Sequence, residues 1–173
     1  NITEYLHFAG ENDGAFQLLS FKAGLRDNMV PESATATFTA NSSLADLQDK
    51  LAAFTSAEGL TAELTQDGDV YRVTLIGKSA HGSTPEAGIN GATYLATFLN
   101  QFDFAGAAKA YLNVTANVLH RDFAGKKLGV AYTDAKMGAL SMNAGVFTFD
   151  RHSDDNTITL NFRYPQGTTP QAI

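Results

Sequence analysis

The 173-residue chain contains no cysteine. This removes disulfides, thiol nucleophiles and cysteine-ligated metal from the chemistry open to it. The absence fits any compartment and tips the expectation only toward the cytoplasm. No apolar run approaches the ~20 residues that cross a bilayer as a helix, and no charged-then-apolar leader opens the chain, so a soluble protein is expected. A basic cluster is missing too. The 12 Lys and Arg against 18 Asp and Glu leave a net charge of -6 spread along the chain, which argues against nucleic acid and anionic membrane as partners. Apolar residues, by contrast, make up 44%, enough for a core in one medium domain or two small ones. The chain begins Asn1-Ile-Thr without a methionine and ends just past a helix-start signal at Thr169-Pro170, so a piece of something longer is expected.

The most ordered stretch is Gly77-Lys-Ser-Ala-His-Gly-Ser-Thr-Pro-Glu-Ala-Gly88, which follows the strand-like Val70 to Ile76. Thr84 is a candidate N-cap for a helix whose first residue is Pro85, and Gly77 and Gly82 allow tight turns on either side of His81. A histidine on a stiff strand-to-helix connection suits a side chain aimed at a ligand. The alternative is a polar loop histidine with no such role, and the stretch alone leaves both open.

Along the chain, residues 15 to 23 are apolar enough for a buried strand, and Ala34, Ala36, Phe38 and Ala40 alternate with threonines as a half-buried strand should. The loop between them presents Asn28 ahead of the apolar pair Met29-Val30 and of Pro31, which forces the chain extended. In isolation Asn28 reads as a turn residue. Ser43 caps a helix with Leu44, Leu47, Leu51 and Phe54 on one stripe, and Gly59 stops it. Leu60 to Leu64 and Tyr71 to Leu75 form a hairpin about Asp67-Gly68. A helix with Ala92, Leu95, Ala96, Leu99 and Phe102 at helical spacing comes next, followed by one from about Ala107 to His120. His120 reads as a helix-end residue, favourable to the negative end of the dipole when protonated. A last hairpin pairs Leu140 to Phe149 with Thr157 to Tyr164 across a polar turn holding His152, Asp154, Asp155 and Asn156, taken as solvated rather than metal-binding. This order of elements predicts an α+β fold, an antiparallel sheet with its helices on one face.

Val73 to Gly88 aligns without gaps to Ile158 to Ile173, sharing the Thr-Leu, Gly, Thr-Pro and Ala positions. A strand, a glycine turn and a Thr-Pro helix start thus occur twice. Two related subdomains are expected, residues 1–105 and residues 106–173, the second truncated. In the second copy Thr159, Asn161 and Arg163 share the polar face of a strand. A surface arginine is the plain reading of Arg163, but a guanidinium on a rigid strand can also hold a carboxylate through two parallel hydrogen bonds.

Several chemistries fall away. Gly77-Lys78-Ser79 lacks the upstream glycine of a phosphate-binding loop, because Arg72 stands there. Ser79 is not a hydrolase nucleophile turn, because position 81 is His and not Gly. His7, His81, His120 and His152 show no paired-ligand spacing and no carboxylate at a helical interval, so no metal site is expected. What remains is a set of donors, Asn28, His81 and Arg163, suited to binding an anion or oxyanion without completing a catalytic centre.

Three segments, Asn28-Met-Val-Pro, Gly77-Lys-Ser-Ala-His-Gly-Ser-x-Pro and Asn161-Phe-Arg-Tyr-Pro, resemble the landmarks of the lid domain of the zinc amidohydrolases of the M20 metallopeptidase family, in order and at similar separations. Within that family the chain is most similar to bacterial dipeptidases of the PepV type. The resemblance implies a ferredoxin-like lid inserted into a catalytic domain that carries two zinc ions, with none bound by the lid. It implies that His81 stabilises the oxyanion of the tetrahedral intermediate, that Asn28 helps bind a dipeptide, and that Arg163 binds its C-terminal carboxylate. It also implies that the duplicated lid imitates, within one chain, the dimer of other relatives. The rival reading is a stand-alone ligand-sensing or dimerisation module without catalytic groups.

Overall fold

A computed structural model describes residues 1–10, 14–153 and 155–173. Alternating apolar residues decide most of its architecture. Strands β1 (Ile2–Phe8), β2 (Gln17–Ala23), β3 (Ser33–Thr39), β4 (Thr61–Asp67), β5 (Val70–Ile76), β8 (Ser141–Asp150) and β9 (Asn156–Arg163) form one sheet in the order β1-β9-β8-β2-β3-β5-β4. Every pairing in it is antiparallel. The two-residue strands β6 (Thr133–Asp134) and β7 (Gly138–Ala139) make a separate small hairpin. Helices α1 (Leu44–Glu58), α2 (Gly91–Leu99) and α3 (Gly106–Val114) complete the fold.

The expected α+β arrangement is what forms. Phe21 of β2, Ala36 and Phe38 of β3, Val73 and Leu75 of β5, Phe149 of β8 and Ile158 of β9 are buried together with Leu47 of α1, Leu95 and Leu99 of α2, and Tyr111 and Leu112 of α3. Each fully buried Leu or Phe contributes about 1.5–3 kcal/mol relative to exposure. Tyr111 ties α3 to the sheet. Its ring meets Phe8, Phe21 and Phe149 edge-on at centroid distances of 5.0, 5.8 and 5.2 Å, and its hydroxyl donates to Thr157 O at 2.7 Å. Burial pushes that phenol well above its usual pKa.

Helix α1 has the expected limits. Ser43 accepts from the Asp46 N–H, and Gly59 closes the helix in the left-handed region at φ 67°. Helix α2 does not start where Thr84-Pro85 predicts. Pro85–Ala87 forms only a single 3-10 turn, and Thr84 makes no capping bond. The chain then runs extended at Gly88, and Lys78 and Ile89 exchange backbone hydrogen bonds at 2.8 Å each way. That pairing holds the backbone out of helical geometry until Asn90, whose side chain caps α2 by accepting from Ala92 and Thr93 N–H at 3.0 and 3.2 Å. Helix α3 continues through a π turn, Thr115–Leu119. There the buried Thr115 hydroxyl donates to Tyr111 O at 2.8 Å, competing with the backbone for that acceptor.

Strand β1 was not anticipated. Its apolar residues Ile2, Leu6 and Phe8 are only half-buried, and its partner β9 is more than 150 residues away, Ile2 lying opposite Phe162. The internal repeat has a structural counterpart. Strands β5 and β9 each lie second from an edge of the sheet, and each leads to a 3-10 turn that opens with proline, Pro85–Ala87 and Pro170–Ala172.

The topology places the site. In an antiparallel sheet alternate strands point the same way, so β2, β5 and β9, separated from one another by β3 and β8, run parallel. Their C-terminal ends therefore meet at one end of the sheet, and these ends lead to the Asn28 loop, the His81 loop and Arg163.

Candidate functional site

The Asn28 loop leaves β2 through Gly24, at φ 81°, where an added Cβ would sit 1.8 Å from Gly145 O. It crosses β8 at a bulge between Ala144 and Val146, and a Cβ on Gly145 would meet Asp27 O at 2.5 Å. Only glycine fits at either position. Val30, 2% exposed, anchors the far side of the loop.

The His81 loop is closed at its neck by the Lys78–Ile89 pairing. It is bound to the start of β3 by Gly77 N–H donating to Glu32 O and to the end of the Asn28 loop by Gly91 N–H donating to Pro31 O. It also docks directly on the Asn28 loop. Gly82 N–H donates to Asn28 O at 2.6 Å, Val30 N–H donates to Ala80 O at 2.8 Å, and Met29 and His81 lie opposite one another as in an antiparallel pair. A Cβ at Gly82 would meet Asn28 O at 2.8 Å, so this approach also requires glycine.

The His81 ring is exposed and oriented from within its own turn. Its Nδ1 accepts the Ser83 backbone N–H at 3.1 Å and lies 2.7 Å from Ser83 Oγ. An Nδ1 that accepts a backbone proton leaves the neutral ring to carry its own proton on Nε2, on the opposite edge. The loop thus presents an N–H donor of defined tautomer.

Arg163 is the last residue of β9, half-buried and opposite Ser141. Its Nε is buried and, among the described residues, has no hydrogen-bond partner. Two positions earlier on the same face, Asn161 points its amide N–H at Asp27 Oδ2 and Ile2 O, each at 3.4 Å, and the Thr3 hydroxyl donates to the same Asp27 carboxylate. The structure therefore brings the Asn28 and His81 loops into direct backbone contact, and the strand that carries Arg163 reaches the Asn28 loop through the Asn161–Asp27 bond. An open groove of about 530 Å³ adjoins this network, lined by Asn28 with Tyr5, Leu25, Arg26 and Thr159.

Sequence reading overlooked Asn143, which is 2% exposed and whose amide holds the Asn28 loop from below. Its one outward sign is a carboxamide within the largely apolar run from Met142 to Phe147. His120 ends the helix as expected, but its charge state differs. It is half-buried, hydrogen-bonded with Thr93 Oγ1 at 2.9 Å, and packed edge-on against Tyr94. Burial, followed by the neighbouring Arg121 charge, pushes its pKa from 6.5 down to about 4. It is a neutral core-edge residue and not a cation at a helix terminus.

Among the described residues, no group of three or more His, Cys, Asp or Glu side chains is arranged to hold a metal ion. In the polar turn after β8, Asp155 pairs with His7 at 2.8 Å, and the His152 N–H donates to Asp150; Asp154 lies outside the described residues. Among the described residues, no helix is long and apolar enough to cross a membrane.

This α+β domain places an imidazole, a carboxamide and a guanidinium at one end of its sheet. No protein-family model matches the chain. It is 38% identical over 97% of its length to a Beta-Ala-Xaa dipeptidase of Lactobacillus delbrueckii subsp. lactis. It is 30% identical over 91% of its length to a protein of Staphylococcus aureus (strain MRSA252), and 29% identical to another from the strain bovine RF122 / ET3-1, each provisionally named a dipeptidase. The chain spans only 33–36% of the length of these relatives. It is thus similar to about a third of a dipeptidase.

Proposed function

We propose that this chain is the lid domain of a zinc-dependent dipeptidase of the M20 family and PepV type, capping the substrate and stabilising the developing oxyanion. The observation that carries the reading is the docking of the His81 loop on the Asn28 loop, at the same end of the sheet as Arg163. In this reading His81 donates from Nε2 to the oxygen that becomes negative during attack, Asn28 binds the dipeptide, and Arg163 clamps its C-terminal carboxylate. The buried Arg163 Nε, without a partner among the described residues, supports the last role, since a buried donor without a partner is costly until something accepts from it. Among the described residues no donor set fits zinc. The proposal puts the two zinc ions of the parent enzyme in a separate catalytic domain, which is the partner this lid closes on, in a cytoplasmic enzyme.

The test is His81→Ala in the full-length protein. An interaction that strengthens in the transition state acts on kcat, and losing one such donor typically costs ~10² to 10³ in kcat. Zinc content and melting temperature should stay near wild type. A melting temperature lowered by several degrees with kcat preserved would make His81 structural, and lost zinc would make it a ligand.

A further inference from the structure

Three consecutive carbonyls, Asp27 O, Asn28 O and Met29 O, are each taken by a donor from a distant part of the chain. Asn28 O accepts from Gly82 N–H at 2.6 Å. The other two accept from one side chain, the Asn143 amide, at 2.7 and 2.9 Å. Both protons of that amide are thus used on the carbonyls of the residues on either side of Asn28. Asn143 is 2% exposed, belongs to β8, and lies opposite Asn161 on β9, so its own position is set by the sheet. Gly24 and Gly145 leave only bare backbone where the loop crosses β8, so its height there is set by the Asn143 amide together with the bonds of Asn161 and Thr3 to the Asp27 carboxylate.

We infer that Asn143 is a positioning residue that locks the Asn28 loop onto the His81 loop, so that the two donors keep one register with the strand bearing Arg163. This rests on the reading of Asn28 and His81 as substrate contacts. A carboxamide is required there. A carboxylate at position 143 would set an acceptor against two acceptors, and an aliphatic side chain would leave both carbonyls unpaired. A displacement of about 1 Å at a substrate-contacting group costs up to about 10²-fold in rate, and Asn143 is the side chain that prevents it here.

The experiment uses the full-length protein with Asn143→Leu, which keeps the volume and removes the donors, and Asn143→Ser, a smaller change that serves if the first does not fold. Two readouts are taken. Hydrogen exchange at the Gly82 and Val30 amides, which bridge the two loops, should quicken at least tenfold in either variant while the amides of β5 keep their wild-type rates. Unchanged exchange at Gly82 overturns the inference, whatever happens to activity. Dipeptide hydrolysis should fall about tenfold or more in kcat/KM, and in an Asn28→Ala background the same substitution should cost no more than about twofold, since residues acting as one unit are not additive. Losses that simply multiply would make Asn143 a general stability residue and overturn the inference. Quickened exchange with activity intact keeps the lock and removes Asn28 from substrate binding instead.

Discussion

Arg163 and His120 show how differently two half-buried basic side chains can behave at the residue scale. Among the described residues the buried Nε of Arg163 has no partner, which on the proposed lid reading suits a planar fork for a carboxylate. On that reading Arg163→Lys in the full-length protein should raise KM for free dipeptides, with little change for dipeptide amides, which lack that carboxylate. Equal losses on acids and amides would remove Arg163 from the role. His120 should control acid stability. Its folded pKa of about 4 lies below the ordinary 6.5, so between those values the unfolded chain binds a proton that the folded chain refuses. Stability then falls as pH drops through that window. Arg121 and Lys127 oppose protonation and Glu58 favours it, but burial dominates. His120→Gln, which cannot titrate, should lose less melting temperature than wild type between pH 7 and pH 4.5, and identical pH slopes would refute the assignment. The sequence named His81, Asn28 and Arg163 because each lies in a short local pattern. It did not reveal Asn143, whose partners are 114 and 116 residues away, nor the burial that neutralises His120.

Elements were legible where their boundaries are local and illegible where they depend on distant backbone. Helix α1 has its start and stop within its own sequence, Ser43 and Gly59, and both act as read. The start of α2 was misread because Thr84-Pro85 is a sound helix signal that loses to the Lys78–Ile89 pairing, formed only when the loop closes. The cost of undoing the true start can be gauged. Asn90 satisfies two N–H groups of α2 and also donates to Ala144 O at 2.9 Å, tying the helix to β8. Loss of a side-chain cap costs about 1 kcal/mol, and leaving a partly buried carbonyl unpaired adds about 1–3 kcal/mol. Asn90→Ala should thus lower unfolding stability by about 2–4 kcal/mol in urea titration. A loss under about 0.5 kcal/mol would mean that water or a shifted backbone replaces both roles.

Over the whole molecule, the sheet that the sequence suggested in two portions is continuous. Strand β2, from the first portion, pairs with β8, from the second, through Ser20–Asp150, Phe21–Phe149, Lys22–Thr148 and Ala23–Phe147. The rings of Phe21 and Phe147 meet across this seam at 6.0 Å, and Phe21 also meets Tyr111 at 5.8 Å. Strand β1, first in sequence, joins the far edge beside β9. Chain order and sheet order thus interleave, and opening either portion alone would expose the Phe21 cluster and break the central ladder. A single cooperative transition should follow, because neither set of strands can be released without the other. Leu95 of α2 and Ile158 of β9 are both fully buried, on opposite sides of the seam. Leu95→Ala and Ile158→Ala should each cost about 2–5 kcal/mol. Each should lower the opening free energy of the Leu75 and Leu160 amides together, as read by native-state hydrogen exchange, since both amides then exchange only through global unfolding. Protection lost at Leu160 alone in the Ile158 variant, with Leu75 unmoved, would show two portions that unfold independently despite the shared ladder.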